Sequence, residues 1–240
     1  LRALREGAPR EAVLSRLASI QEEVLSPDGE LALLEARALA AARGPEPQEA
    51  ATAYRMLGGA RWDLAGDKIG AVSAWSAGAV LATHRGYATL GGDLVRFGDA
   101  TFAMQVLVQL AEGEPEPTRR GALMAEAARA AIQVGKPERA LALSLDALEL
   151  NPSYGDALEL AERAALALGQ GDTVSGVYDL VASRALGRFG RRAAHYRGAR
   201  FFEQHGDPAL TLKHAAEAFQ AVPAEGTTFT MLARAAQRAG

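Results

Sequence analysis

A short turn signal recurs along this 240-residue chain and divides it into helical hairpins. A Gly followed by Asp and then by a helical segment recurs at Gly66-Asp67, Gly98-Asp99, Gly171-Asp172 and Gly206-Asp207, with Gly135-Lys136-Pro137 as a variant. Glycine can take the left-handed conformation that ends a helix, and Asp can accept hydrogen bonds from the free N–H groups of the next helix. Each signal therefore predicts the end of one helix and the start of an antiparallel neighbour.

The composition supports an all-α fold. The chain contains 53 Ala residues and is poor in Ile, Val and Thr. Alanine is the strongest helix former, whereas β-branched residues favour strands. A sheet-rich fold is therefore excluded, and the absence of cysteine excludes disulfides and zinc–cysteine sites.

The apolar pattern behind the turns repeats with a period near 34 residues. The clearest unit runs from Gly121 to Tyr154, with Ala128 in its first helix, Ala140 and Ala147 in its second, and a closing proline. The same frame restarts at about Thr52, His84, Gly155, Arg192 and Gly226, in steps of 32, 37, 34, 37 and 34 residues.

This spacing resembles the tetratricopeptide repeat (TPR) family, in degenerate bacterial-type repeats. That family has a 34-residue helix-turn-helix with small residues at positions 8, 20 and 27 and Pro near 32. The matching residues are Gly59, Gly91, Ala128, Ala199 and Ala233 at position 8, Ala71, Ala103 and Ala140 at position 20, Gly78, Ala147 and Ala218 at position 27, and Pro115, Pro152 and Pro223. Glu162 at position 8 and Thr211 at position 20 depart from the pattern, which predicts two irregular units.

The resemblance implies one right-handed superhelical solenoid of about five to six stacked antiparallel hairpins, followed by a terminal helix. Residues 1–240 are expected to form this single domain. Within it we expect a degenerate hairpin over 1–44 (helices at 8–25 and 30–43, with Ser26 or Asp28 as N-cap), recognisable repeats over 52–225, and a capping helix over 226–240. The start at Leu1 and the end at a helix-to-helix turn indicate a fragment of a longer protein.

The sequence carries no catalytic or cofactor motif. The four histidines, His84, His195, His205 and His214, lack metal-ligand spacing, and no phosphate-binding loop or nucleophile elbow is present. We therefore predict no enzyme activity, no metal and no cofactor. We expect His195, at the bulky position 4, to be buried.

A row of arginines is the one specific functional signal. In TPR proteins the concave groove is lined by first-helix positions that include 9 and 13, and these fall on Arg129, Arg163, Arg200 and Arg234 (position 9) and Arg238 (position 13). Guanidinium groups bind carboxylates bidentately, so the row predicts an acidic protein or peptide partner. In the alternative interpretation, Glu126, Glu159 and Glu203 pair locally with Arg129, Arg163 and Arg200, three or four residues away.

A denser basic patch lies between Arg184 and Arg200, opposed by an acidic loop over Glu112–Glu116. Its aromatic residues Phe189, Tyr196, Phe201 and Phe202 would suit nucleic-acid binding, but the helical spacing of Tyr196 and Phe202 favours packing between hairpins. The net charge of −3 also disfavours nucleic acid. We likewise assign Trp62, Trp75 and the position-4 residues Tyr87, Met124, Leu158 and Phe229 to the core.

The sequence thus predicts a non-catalytic protein-binding scaffold. Two alternatives stay open: a self-assembling segment of a larger bacterial envelope or motility complex, docking through the terminal helix, and a regulatory arm of an enzyme whose catalytic domain lies outside these residues. No membrane-spanning run is present. Localisation is not determined by the sequence, with the cytoplasm slightly favoured and the periplasm open.

Overall fold

The structure, a computed structural model, describes residues 26–82 and 86–239. These residues form twelve α-helices and no strand: α1 (Pro27–Ala42), α2 (Pro47–Ala65), α3 (Lys68–Leu81), α4 (Gly86–Phe97), α5 (Ala100–Gly113), α6 (Pro117–Gln133), α7 (Pro137–Leu150), α8 (Gly155–Ala167), α9 (Gly171–Arg184), α10 (Gly187–Gln204), α11 (Pro208–Ala221) and α12 (Gly226–Ala239). The predicted all-α helical-repeat fold is confirmed. None of the described helices is long and apolar enough to cross a membrane.

The chain divides into two compact units, Leu1–Ala103 and Met104–Gly240. In the first unit α2 packs against both α1 and α3; in the second, α6 packs against α7, and α10 against α11. The single domain over 1–240 and its right-handed superhelix stay predictions. The helix predicted over 8–25 and the repeat start at His84 lie outside the described residues.

Two of the predicted Gly-Asp turns have the expected geometry. Gly66 and Gly206 are left-handed, with φ of 63° and 74°. The carboxylates that follow them cap the next helices, since Asp67 accepts from the Gly70 N–H at 2.8 Å and Asp207 from the Leu210 N–H at 2.9 Å.

Two other turns differ from the prediction. Gly98 does not have a positive φ, although Asp99 still caps α5 by accepting from the Phe102 N–H at 2.7 Å. Gly171 and Asp172 lie inside the first turn of α9, and Gly169 supplies the left-handed residue with φ of 66°. Helix α9 thus begins two residues before the point at which the Gly171-Asp172 signal would start it.

The core of the first unit is built on two tryptophans. Trp75 is 2% exposed, and its indole N–H donates to the Arg55 carbonyl. The Trp62 ring is half-buried and lies 5.8 Å from the Trp75 ring, with Phe97 and Phe102 nearby. The helices approach closely here because Gly58 faces the Trp75 indole, and a Cβ at Gly58 would lie only 2.3 Å from that ring.

In the second unit small side chains fill the helix crossings, as predicted. Ala128, Ala140 and Ala147 are fully buried. At the irregular unit Ala161 is fully buried beside Glu162, so the small residue stands one position earlier than the repeat frame places it. Gly198 lies against the rings of Tyr178 and His214, where a Cβ would be 2.9 Å and 3.1 Å from their nearest atoms.

The core assignment was wrong for Phe229, which is 59% exposed. Ala233, a predicted crossing residue, is exposed as well. Both lie on α12, and no later helix in the described part of the chain packs on them. The opposite side of α12 is buried, because Met231 and Ala235 pack against Ala199.

We expect substitution of Gly58 by Ala to destabilise the protein by about 1–3 kcal/mol, because the added methyl group would overlap the Trp75 indole. Gly92→Ala is the matched control. Gly92 lies on a helix with open space around its Cβ position, so the same change should stabilise by about 0.4–1 kcal/mol. Urea denaturation of both variants checks this, and equal effects would contradict the packing described.

Candidate partner-binding face

Ion pairs join the first helices of successive hairpins in the second unit. Arg129 of α6 lies 3.3 Å from Asp156 of α8. Glu162 of α8 pairs with Arg197 of α10. Glu203 of α10 then accepts from Arg238 of α12 at 2.7 Å and lies 3.6 Å from Arg234. We call these residues the ion-pair ladder.

The first rung contains a buried carboxylate. Arg129 Nε donates to Glu126 Oε2 at 3.2 Å, as the local-pairing alternative predicted. Glu126 is 4% exposed, and its Oε1 has no hydrogen-bond partner among the described residues. Burial raises the pKa of Glu126 above its ordinary value of 4.5, although the charge of Arg129 opposes that rise.

The middle rung has the most extensive geometry. Arg197 donates from Nε and Nη2 to the two oxygens of Glu162, at 2.9 Å and 3.0 Å. The Tyr178 hydroxyl donates to the same carboxylate. Burial and this hydrogen bond raise the pKa of Tyr178, so the phenol stays protonated and keeps donating. The repeat frame treated Glu162 as an irregularity, whereas it connects three helices.

Arg200 is exposed and faces a surface pocket beside this rung. The pocket is lined by Glu162, Tyr178, Tyr196, Arg197, Arg200, Phe201 and Gln204. Within the described residues Arg200 and Arg163 form no ion pair. The local pairs that the alternative gave them, with Glu203 and Glu159, are not formed, and Glu203 pairs with α12 instead. Two of the five predicted site arginines therefore have uncommitted charges, while Arg129, Arg234 and Arg238 are shared with internal acids.

The basic patch between Arg184 and Arg200 has mixed roles. Arg192 pairs with Glu225 and lies over the Tyr196 ring at 4.8 Å. Phe202 is buried, as the packing interpretation predicted, and Phe201 is buried as well. Phe189, which the packing interpretation did not include, is 63% exposed.

The acidic loop has a local function. Both oxygens of Glu116 accept N–H groups at the start of α6, from Thr118 and Arg119 at 2.8 Å. These hydrogen bonds lower the pKa of Glu116. The loop charge therefore serves to cap α6.

Comparisons with family models and with curated proteins found no match. Among solved structures, the chain is similar to Pseudomonas aeruginosa pilF at 14% identity and a TM-score of 0.42, covering 94% of this chain and 97% of that one. It is similar to the C-terminal part of a TPR repeat-containing protein from Cytophaga hutchinsonii at 15% identity and a TM-score of 0.38, covering 93% and 94%.

A third similar structure is a chain of the APC/C Cut9–Hcn1 hetero-tetramer, at 18% identity and a TM-score of 0.37. That match covers 92% of this chain and 46% of the other, so the present chain spans less than half of its length. These likenesses concern the helical-repeat fold alone.

We expect Glu162→Ala to destabilise the protein by about 1–3 kcal/mol, because it leaves the Tyr178 hydroxyl without its acceptor and Arg197 without its partner. Glu159→Ala, on the exposed side of the same helix, should change stability by less than about 0.5 kcal/mol. Chemical denaturation measures both. Similar losses in the two variants would show that α8 is sensitive to any change of charge.

Proposed function

We propose that this chain is a non-catalytic scaffold that binds an acidic or extended segment of a protein partner on the first-helix face of residues 104–240. The observation that carries the proposal is Arg200, an exposed guanidinium that pairs with no acid among the described residues, beside a pocket that contains a second guanidinium, held in place by Glu162. In the groove predicted from the TPR resemblance, the partner would lie along Arg129, Arg163, Arg200, Arg234 and Arg238.

The local charge favours a carboxylate ligand at the pocket. The charge of Glu162 is offset by Arg197, which leaves Arg200 as the uncompensated charge among the lining residues. Arg197 is held by two hydrogen bonds, so little side-chain entropy is lost when a ligand contacts it. The Tyr196 ring on the same pocket offers an apolar surface to the ligand's chain.

The other arginines of the row can bind the partner by exchanging an internal carboxylate for one of the partner's. Arg234 and Arg238 share the single carboxylate of Glu203, and both are more than half exposed. Exposed ion pairs are worth only about 0–1 kcal/mol, so an incoming carboxylate can replace one of these contacts at little cost. Arg129 can do the same with Asp156, whose side chain is 59% exposed.

The acids of the ladder favour a protein over a nucleic acid. Asp156, Glu162 and Glu203 alternate with the arginines along this face. A continuous phosphate backbone would meet these negative charges at each step, whereas a peptide can place its acids selectively. The proposed partner is therefore a polypeptide.

Reversal of the Arg200 charge, Arg200→Glu, should reduce capture of the partner from a lysate of the source organism at least about tenfold, with helical content unchanged. Arg139→Glu is the matched control, since Arg139 is also exposed and unpaired in the described structure but lies on the second helix of its hairpin. Quantitative mass spectrometry of the captured proteins compares the two. A partner retained equally by both variants would place binding away from the pocket.

A second candidate function, assembly through the terminal helix, is favoured by the exposed Phe229 ring on α12. A copy of the chain docked there would bury this ring together with the exposed Ala233. If this assembly forms, we expect the apparent molecular mass of the wild-type protein to rise with its concentration. The Phe229→Glu variant should stay monomeric at the same concentrations. Light scattering over a range of concentrations measures this, and a concentration-independent monomer in the wild type would eliminate this candidate.

A further inference from the structure

Three ligand-type side chains from three helices converge in the second unit. Asp179 lies on α9, His195 on α10 and His214 on α11. One ligand atom from each lies within 4.8 Å of the others. His214 is fully buried and His195 nearly so, while the Asp179 side chain is 44% exposed and opens the cluster to solvent.

The spacing of the two imidazoles is close to that of metal ligands. His195 Nδ1 and His214 Nδ1 are 3.1 Å apart. Two nitrogens that bind one zinc ion at about 2.0–2.1 Å with tetrahedral angles lie about 3.3 Å apart. The nearer Asp179 oxygen is 3.9 Å from His195 Nδ1, so a small rotation of an exposed side chain brings it to the same separation.

The protonation of the cluster is compatible with metal binding. Burial lowers the pKa of His214 to about 4 and also lowers the pKa of His195. Both imidazoles are therefore neutral at pH 7, which is the form that coordinates metal. The charges that act on the pair are the carboxylates of Asp179 and Glu217 and the ammonium of Lys213.

We propose that Asp179, His195 and His214 form a binding site for a divalent transition-metal ion, with zinc as the reference ligand. The two Nδ1 atoms and one carboxylate oxygen supply three ligands, and water completes the tetrahedron. Two histidines and a carboxylate suit zinc better than magnesium or calcium, which prefer oxygen ligands.

An outer hydrogen bond already orients one ligand. His214 Nε2 lies 2.9 Å from Ser175 Oγ, a buried hydroxyl on α9. With the metal on Nδ1, Nε2 carries the proton and donates it to this oxygen, as metal-bound histidines usually do to a nearby acceptor. Ser175 therefore acts as a positioning residue for His214.

Lys213 competes with the ion. Its Nζ donates to Asp179 Oδ2 at 2.7 Å and to Ser175 Oγ at 2.9 Å. The Lys213 side chain is 45% exposed and can move into solvent when a metal takes over the Asp179 charge. Binding of the ion would therefore exchange one cation for another at Asp179, while linking α9 to the hairpin α10–α11.

The site is testable by titrating the untagged 240-residue chain with zinc chloride in a calorimeter. We expect one zinc per chain, and a rise in Tm of about 5–10 °C when zinc is 100-fold above Kd. Asp179→Asn and His195→Gln should each weaken binding at least about 100-fold, and Ser175→Ala by about 10-fold. His205→Gln, outside the cluster on the same hairpin, should leave zinc binding unchanged.

Lys213→Gln distinguishes metal binding from a merely structural role of the cluster. Removal of the competing ammonium should tighten zinc binding by about tenfold or more, whereas it cannot do so if zinc binds elsewhere. Absorption by bound Co²⁺ reports the tetrahedral ligand set independently. The proposal would be overturned if the chain bound no zinc at 1:1 stoichiometry in 100-fold molar excess of zinc, or if zinc binding survived Asp179→Asn. Because the Asp179 side chain is 44% exposed, we expect the Asp179→Asn variant to fold even if His214 variants do not.

Discussion

The close approach of neighbouring helices through small side chains is the constraint on which the rest of this structure depends. At the crossings of the second unit Ala128, Ala140 and Ala147 are fully buried, and in the first unit Gly58 meets the Trp75 indole directly. Contacts of this kind bury little apolar surface per residue. They therefore determine the distance between helices more than they contribute to the free energy of folding. The energy is concentrated at a few large rings, such as Trp75, Tyr178 and Phe202, which fill the spaces between the crossings.

Because the helices lie so close, their polar side chains reach one another across hairpins. Arg55 of α2 donates from two nitrogens to Asp93 of α4 at 2.6 Å in the first unit, and the ion-pair ladder does the same in the second. Asp93 and Glu126, which lies on the same helix as its partner Arg129, are almost fully buried, and each is matched by a more exposed arginine. Arg55 and Arg129 therefore each neutralise a buried carboxylate while part of the guanidinium remains open to solvent.

The turns and the repeat period could be predicted from sequence because both are local. A glycine and an aspartate at a fixed offset determine a helix end and its cap, which held at Gly66-Asp67 and Gly206-Asp207. Glu162 could not be understood in this way, since its partners Tyr178 and Arg197 are 16 and 35 residues distant.

The cluster of Asp179, His195 and His214 has no signature within one helix, because each ligand comes from a different helix and only the packing of the hairpins brings them together. Phe229 was misassigned because the repeat frame presumes a following helix at each position 4.

Tyr178 belongs to two assemblies at once. Its hydroxyl donates a hydrogen bond to Glu162 on the ladder, and its ring makes a T-shaped contact with the His214 ring, with 5.5 Å between centroids. Gly198 packs closely against this contact, since even an added methyl group would touch both rings. The Tyr178 side chain thus connects a carboxylate that is only 12% exposed to a fully buried imidazole. Because a phenol ring is rigid, we expect a displacement of Glu162 to shift His214 as well, through this one side chain.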